Sequence, residues 1–139
     1  MRSKVEFCLI GAGFIGPVHA ANIAAHPRAR LRSVVDLDRA AASRVAGPHQ
    51  ATVAESLDAA LADPKLDAVV ICTPPRTHAA IIEAAARAGK AIFCEKPIDL
   101  DLEKVAACSR VVGETGVPFF VGFNRRFDPT HKALRDAVA

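Results

Sequence analysis

Gly11, Gly13 and Gly16 stand as G-x-G-x-x-G at the end of KVEFCLIGAGFIG, directly after a short apolar run. Glycines at the first two positions permit a tight turn and let bare main chain approach a diphosphate; the third removes a side chain where helix and strand pack closely. Gly11, Gly13, Phe14, Ile15 and Gly16 are therefore assigned to holding a dinucleotide on main-chain N–H groups, together with the N-terminus of the helix that follows. Asp36 lies about 20 residues on, where a carboxylate can accept hydrogen bonds from an adenosine ribose and repel a 2′-phosphate. That favours NAD over NADP, with Arg39 the residue that could reverse the preference by pairing with the phosphate. Taken singly, the glycines also fit a plain turn and Asp36 a helix cap. The strand before them, the helix after them and the acid at that distance single out the nucleotide reading.

A second chemical candidate is Lys96, in Glu95-Lys96-Pro97. A lysine directly after a buried strand and beside a proline is held more firmly than a surface lysine. Near a nicotinamide it can donate a hydrogen bond to a substrate oxygen or take part in proton transfer. The plainer alternative is a Glu95–Lys96 surface pair, contributing under about 1 kcal/mol. Thr73-Pro74-Pro75-Arg76-Thr77 follows another apolar run. Its two prolines exclude helix and make a stiff ledge, which either supports a cofactor or is only a rigid turn.

The elements that must position these residues follow from the apolar pattern. Strands are expected over residues 5–10, 31–35, 49–52, 67–72, 91–94 and 117–122. Val5, Phe7, Leu9 and Ile10 read as buried on both faces. Helices are expected over 14–26, from Asp38 to about 46, over 55–62 and 78–88, after Asp101 and from about Thr130. Pro17 sits in the first turn of the first helix, where a missing N–H costs nothing, and Ala20, Ala21, Ala24 and Ala25 give that helix a slim profile. Asp38, Thr77 and Asp101 are the expected N-caps, and Val105, Ser109 and Val112 are expected on one face of the fifth helix. Alternating strands and helices imply an α/β fold: a doubly wound parallel sheet of the Rossmann type, six strands in order 3-2-1-4-5-6. Ligands then belong at the carboxyl edge, between strands one and four. The glycine turn, Asp36, the Thr73 ledge, Glu95-Lys96 and Asn124-Arg125-Arg126 all converge on that edge.

Composition narrows the class further. A chain of 139 residues has room for one domain with a proper core. A net charge of +3 and scattered cations argue against a nucleic-acid partner. No apolar run approaches the roughly 18 residues of a membrane span, and Met1-Arg2-Ser3 leads straight into a strand without a signal-peptide core, so no membrane partner and a cytoplasmic location are expected. Cys8, Cys72, Cys94 and Cys108 show no C-x-x-C spacing and the five histidines no H-E-x-x-H pair. Buried thiol filler is expected, and no metal site.

GAGFIG with Asp36, TPPRTH from Thr73, AGKAIFCEKPID from Ala88 and GFNRRFDP from Gly122 together resemble the Gfo/Idh/MocA oxidoreductases, and within that family the inositol 2-dehydrogenase branch. The resemblance covers essentially the whole chain. It implies NAD-dependent hydride transfer at a secondary alcohol of a small-molecule polyol or sugar. By the same resemblance Lys96 lies at the substrate, Thr73, Pro74, His78 and Glu95 around the cofactor, and Asn124 and Arg125 at the substrate pocket. His19 matches a position where such proteins often carry histidine, and packing is its expected job. Members of the family continue into a second α/β domain that contributes an Asp and a His to the active site, and full-length relatives are homo-oligomers. The chain accordingly reads as an N-terminal fragment: residues 1–122 a cofactor domain, residues 123–139 the start of the connection. NAD binding without turnover is expected of it, and the alternative is a non-catalytic dinucleotide sensor. A methyltransferase reading of the glycines leaves Lys96-Pro97 without a role.

Overall fold

Side-chain alternation along the strands sets the layers. In the computed structural model, which describes residues 4–138, Leu9, Leu31, Val34, Val70 and Cys72 face one side of the sheet, while Cys8, Ile10, Val69, Ile71, Ile92 and Cys94 face the other. The readings of Met1-Arg2-Ser3 and Ala139 lie outside the described residues. The six strands are β1 (Val5–Ile10), β2 (Ala29–Val35), β3 (Thr52–Val53), β4 (Ala68–Ile71), β5 (Ala91–Cys94) and β6 (Phe119–Val121). They form one parallel sheet in the order β3-β2-β1-β4-β5-β6, as the sequence predicts. Helices α1 (Gly16–Ala25) and α2 (Arg39–Ala46) cover the first face; α3 (Leu57–Leu61), α4 (His78–Arg87) and α5 (Leu102–Thr115) cover the second. Helix α6 (Pro129–Val138) follows β6 with no buried residue. Among the described residues no helix is long and apolar enough to cross a membrane.

The carboxyl ends of the strands are in step. Gly11 N–H donates to Val35, Cys72 N–H to Ile10, Glu95 N–H to Ile71 and Gly122 N–H to Cys94, at 2.7 to 3.0 Å. Every loop assigned chemistry from the sequence therefore leaves the sheet on the same rim. Caps fix two of the helices that begin there: Asp38 accepts from the Ala40 and Ala41 amides, and Asp101 from that of Glu103.

Several local expectations are corrected. Strand β1 is buried only over its second half, with Val5 exposed and Phe7 half-buried beside an open recess at the amino edge. Residues 47–49 form a 3-10 turn, so β3 begins at Thr52; Pro48 cannot donate to a ladder there. Ser56 caps α3, which delays that helix to Leu57. The two prolines exclude α-helix but admit a 3-10 turn over Pro75–Thr77. Thr77 caps nothing, since its hydroxyl is drawn back to Thr73 Oγ1 and the Pro74 carbonyl, both at 2.8 Å. Helix α1 meets the sheet through Gly16, Ala20 and Ile23, leaving Ala21, Ala24 and Ala25 outside. Helix α5 buries Cys108 and Val111, with Val105 and Val112 partly covered and Ser109 exposed.

Candidate cofactor site

The glycines of the first turn differ in what they are for. Gly11 has φ +100°, and a Cβ on it would lie 2.7 Å from the Cys72 carbonyl carbon at the end of β4. A Cβ on Gly16 would lie 2.5 Å from the Gly11 carbonyl oxygen. Both glycines are demanded by the protein's own backbone. A Cβ on Gly13 would meet nothing within 4 Å. The space over Gly13 opens outward from the rim, and the start of α1 beside it has no side-chain cap, as at α4 and unlike α2 and α5 on the same rim. Uncapped amides and an open main-chain shelf suit a diphosphate.

Asp36 is oriented before any ligand arrives. One carboxylate oxygen accepts from the Ala12 amide at 2.6 Å and the other from the Asp38 amide at 2.8 Å. The bond to Ala12 ties the glycine turn to the end of β2, a role that sequence reasoning missed. Each oxygen keeps a second lone pair for a ribose hydroxyl. Phe14 and Leu37, fully exposed, flank the glycine turn and Asp36.

Across the switch point, Thr73 is half-buried and Pro74 exposed. His78, first residue of α4, is only 1% exposed, and its two ring nitrogens lie 2.6 Å from the Thr73 carbonyl and 2.7 Å from the Pro97 carbonyl. It thus joins the ledge to the turn that carries Lys96, and its polar atoms are used up on main chain. The Lys96–Pro97 peptide is cis, and Lys96 is exposed on the rim. Glu95 is bound by His19, whose Nε2 lies 2.8 Å from Oε1, while Oε2 accepts from the Lys96 amide at 3.3 Å.

Lys96, Asn124, Arg125, Phe127 and Asp128 line one recess of about 440 Å³. Arg125 is steadied by His131, 2.9 Å away, and His131 in turn pairs with Asp128. The His131 and Thr130 N–H bonds, with the His131 ring, hold the Asp128 carboxyl below the usual carboxylate range. The structure thus brings the glycine turn, Asp36, Thr73, Glu95 and Lys96 to one rim, places Asn124 and Arg125 beside Lys96, and withdraws His78 into the core. Among the described residues no cluster of three His, Cys, Asp or Glu could hold a metal ion.

Comparisons with known proteins agree with the fold. The family model of the Gfo/Idh/MocA oxidoreductases, described as an oxidoreductase family with an NAD-binding Rossmann fold, matches residues 5–123. An inositol 2-dehydrogenase of Rhizobium meliloti (strain 1021) is 54% identical over 134 residues, 96% of this chain and 40% of the relative. The scyllo-inositol 2-dehydrogenase (NAD(+)) of Bacillus subtilis (strain 168) is 42% identical over 94% of this chain and 39% of its own length. The crystal structure of scyllo-inositol dehydrogenase from Lactobacillus casei, with bound NAD(H) and scyllo-inositol, superposes with a TM-score of 0.90 at 31% identity, over 97% of this chain and 41% of that one. The chain spans about 40% of the length of such relatives. On the match over residues 5–123 and the Rossmann topology together, this chain belongs to the Gfo/Idh/MocA oxidoreductase family.

Proposed function

We propose that the chain seats NAD along the carboxyl rim as the cofactor half of an oxidoreductase acting on a secondary alcohol of a cyclitol or sugar, with inositol the first candidate. The observation that carries this is the open main chain at Gly13 beside the ligand-ready carboxylate of Asp36: no protein atom lies within 4 Å of where the Gly13 Cβ would be, and Asp36 is already held by the Ala12 amide of the same turn. Bound there, NAD would supply the hydride acceptor for the alcohol carbon. The chain's own residues bind and orient. Main-chain N–H groups of Gly13, Phe14 and Ile15 take the diphosphate, that of Gly16 being given to the Gly13 carbonyl, and Asp36 accepts from the ribose hydroxyls, which favours NAD over its 2′-phosphate. Thr73, Pro74 and Glu95 border the cofactor, and His78 supports that border from below. Lys96 Nζ donates a hydrogen bond to the alcohol oxygen and so orients the alcohol carbon toward the cofactor. Asn124 and Arg125 form one wall of the substrate recess.

Residues 1–122 are the cofactor unit in this reading, and residues 123–139 lead away from it. The end of the family match at residue 123 supports that division. Hydride transfer needs the alcohol carbon held from more than one side, and the Lys96 recess is walled by one loop, so the chain alone binds NAD without turnover.

Calorimetric titration tests the proposal. NAD should bind, NADP more weakly, and myo-inositol with NAD should yield no NADH. Gly13→Val should weaken NAD binding more than about tenfold at an unchanged melting temperature, while Gly11→Ala and Gly16→Ala should lower the melting temperature. A folded wild-type chain that ignores millimolar NAD would end the proposal. Lys96→Ala should leave NAD affinity nearly as it was; a large loss would favour the sensor reading.

A further inference from the structure

Helix α1 does more than receive the diphosphate, because His19 on its first turn reaches across to the end of β5. His19 Nε2 lies 2.8 Å from Glu95 Oε1, a contact between residues 76 apart in sequence. Its ring packs on Phe93 with centroids 5.1 Å apart and planes tilted by 56°. Both side chains of the pair are about four-fifths covered, at 20% and 21% exposure. The space for Glu95 is built: a Cβ on Gly122 would come within 3.4 Å of its carboxylate and 3.0 Å of the Phe93 ring. The second carboxylate oxygen accepts the Lys96 amide.

We propose that His19 is a positioning residue for Lys96, acting through the Glu95 carboxylate. A ring needed only for packing against Phe93 has no use for a carboxylate on Nε2. The Glu95-Lys96-Pro97 turn is then gripped from both sides of the sheet. His19 holds it to α1 through Glu95, and His78 holds it to α4 through the Pro97 carbonyl. Since α1 also carries the diphosphate shelf, the bond fixes the distance from the shelf to the lysine. The meaning of this for chemistry rests on the NAD reading above; the geometric claim does not.

Two substitutions separate the ring from the hydrogen bond. His19→Gln places an amide nitrogen close to where Nε2 stood and discards the ring, while His19→Phe keeps the ring on Phe93 and discards the donor. The amide and side-chain 15N resonances of Lys96 are followed first without cofactor. His19→Phe should displace or broaden them, and His19→Gln should return them toward wild type. With NAD present, His19→Phe should weaken binding by about three- to tenfold through the released Glu95 carboxylate, which borders the cofactor, rather than through Lys96, and His19→Gln by less. Wild-type Lys96 resonances in His19→Phe, or a larger displacement in His19→Gln than in His19→Phe, would overturn the proposal. Should His19→Phe not fold, His19→Asn, one carbon too short to reach Glu95, replaces it with the same expected and contrary outcomes. If the wild-type chain fails to bind NAD, the cofactor reading falls while the Lys96 resonances still decide the role of His19.

Discussion

Burial decides what individual residues are able to do. Desolvation pushes the Cys8 thiol up to about 11, eased slightly by a Ser33 hydrogen bond, and the Cys72 and Cys94 thiols up to about 12, with the Glu95 carboxylate adding to both. Cys108 is raised as well, again chiefly by desolvation. All four cysteines are free and buried, so the thiolate that alkylating reagents need is scarce in the folded state. Iodoacetamide at neutral pH should therefore label the native chain very slowly and label all four cysteines once urea unfolds it, as mass spectrometry will count. The sign of the pH effect follows from the same shifts. Thiols whose folded pKa lies above the unfolded value contribute stability that is complete below about pH 8.5 and is lost as pH rises toward the folded values near 11 and 12. The melting temperature should thus fall through that alkaline window, and fall less in Cys94→Ala if Cys94 carries part of the effect. His78 shows burial acting on a polar group. Only 1% exposed, it keeps its place because both nitrogens face main-chain carbonyls, and His78→Phe would deprive the carbonyl that accepts the ring N–H of its donor. A loss of about 1 to 3 kcal/mol, measured by urea unfolding, is expected.

Elements inherit these residue-level choices mainly at their ends. Strand β5, Ala91–Cys94, matches the expected span because an apolar run is stopped sharply by Gly89-Lys90 and Glu95-Lys96-Pro97. The caps Asp38 and Asp101 were legible because an Asp just before a helical pattern has one common use. Replacing Asp101 with Ala should cost about 1 kcal/mol of stability by denaturant titration, since the Glu103 amide then loses its acceptor at 2.9 Å. Thr77 was misread for a reason that local sequence does not carry: its hydroxyl has a better pair of acceptors behind it, at Thr73 and Pro74. The short β3 was misplaced because Pro48 and the left-handed Gln50, φ 55°, use the preceding residues in a tight turn. The glycine turn, Asp36 and Lys96 could be read as candidate site residues on one rim because motif and spacing bear the chemistry. The Asp36–Ala12 bond and the His19–Glu95 pair could not, since they join residues 24 and 76 positions apart that only the sheet order brings together.

At the scale of the whole molecule, polarity rather than hollow volume marks the site. The Lys96 recess is the smaller feature. A recess of about 820 Å³ lies at the amino edge beside Lys4, Asn22, His26 and Arg28, and one of about 830 Å³ lies under Phe120, Phe123 and Phe127. A parallel sheet makes its two edges chemically unlike. The helices that follow the strands begin at the carboxyl rim, so their positive ends gather there, while the amino edge receives their C-termini. A dinucleotide diphosphate carries negative charge and seeks main-chain donors, which the carboxyl rim supplies at the uncapped start of α1. Among the described residues the amino edge has cations but no comparable shelf, because main-chain groups there are taken up in turns such as Val5 N–H to Arg28 and Asp67 N–H to Glu6. Titrating NAD into 15N-labelled chain should consequently move the amides of Gly11 to Gly16, Asp36, Leu37, Thr73, Glu95 and Lys96, and leave those of Asn22, His26 and Arg28 in place. Saturable shifts confined to the amino edge would put the ligand under α1's C-terminus, and the assignment of the diphosphate to Gly13 would fall with it.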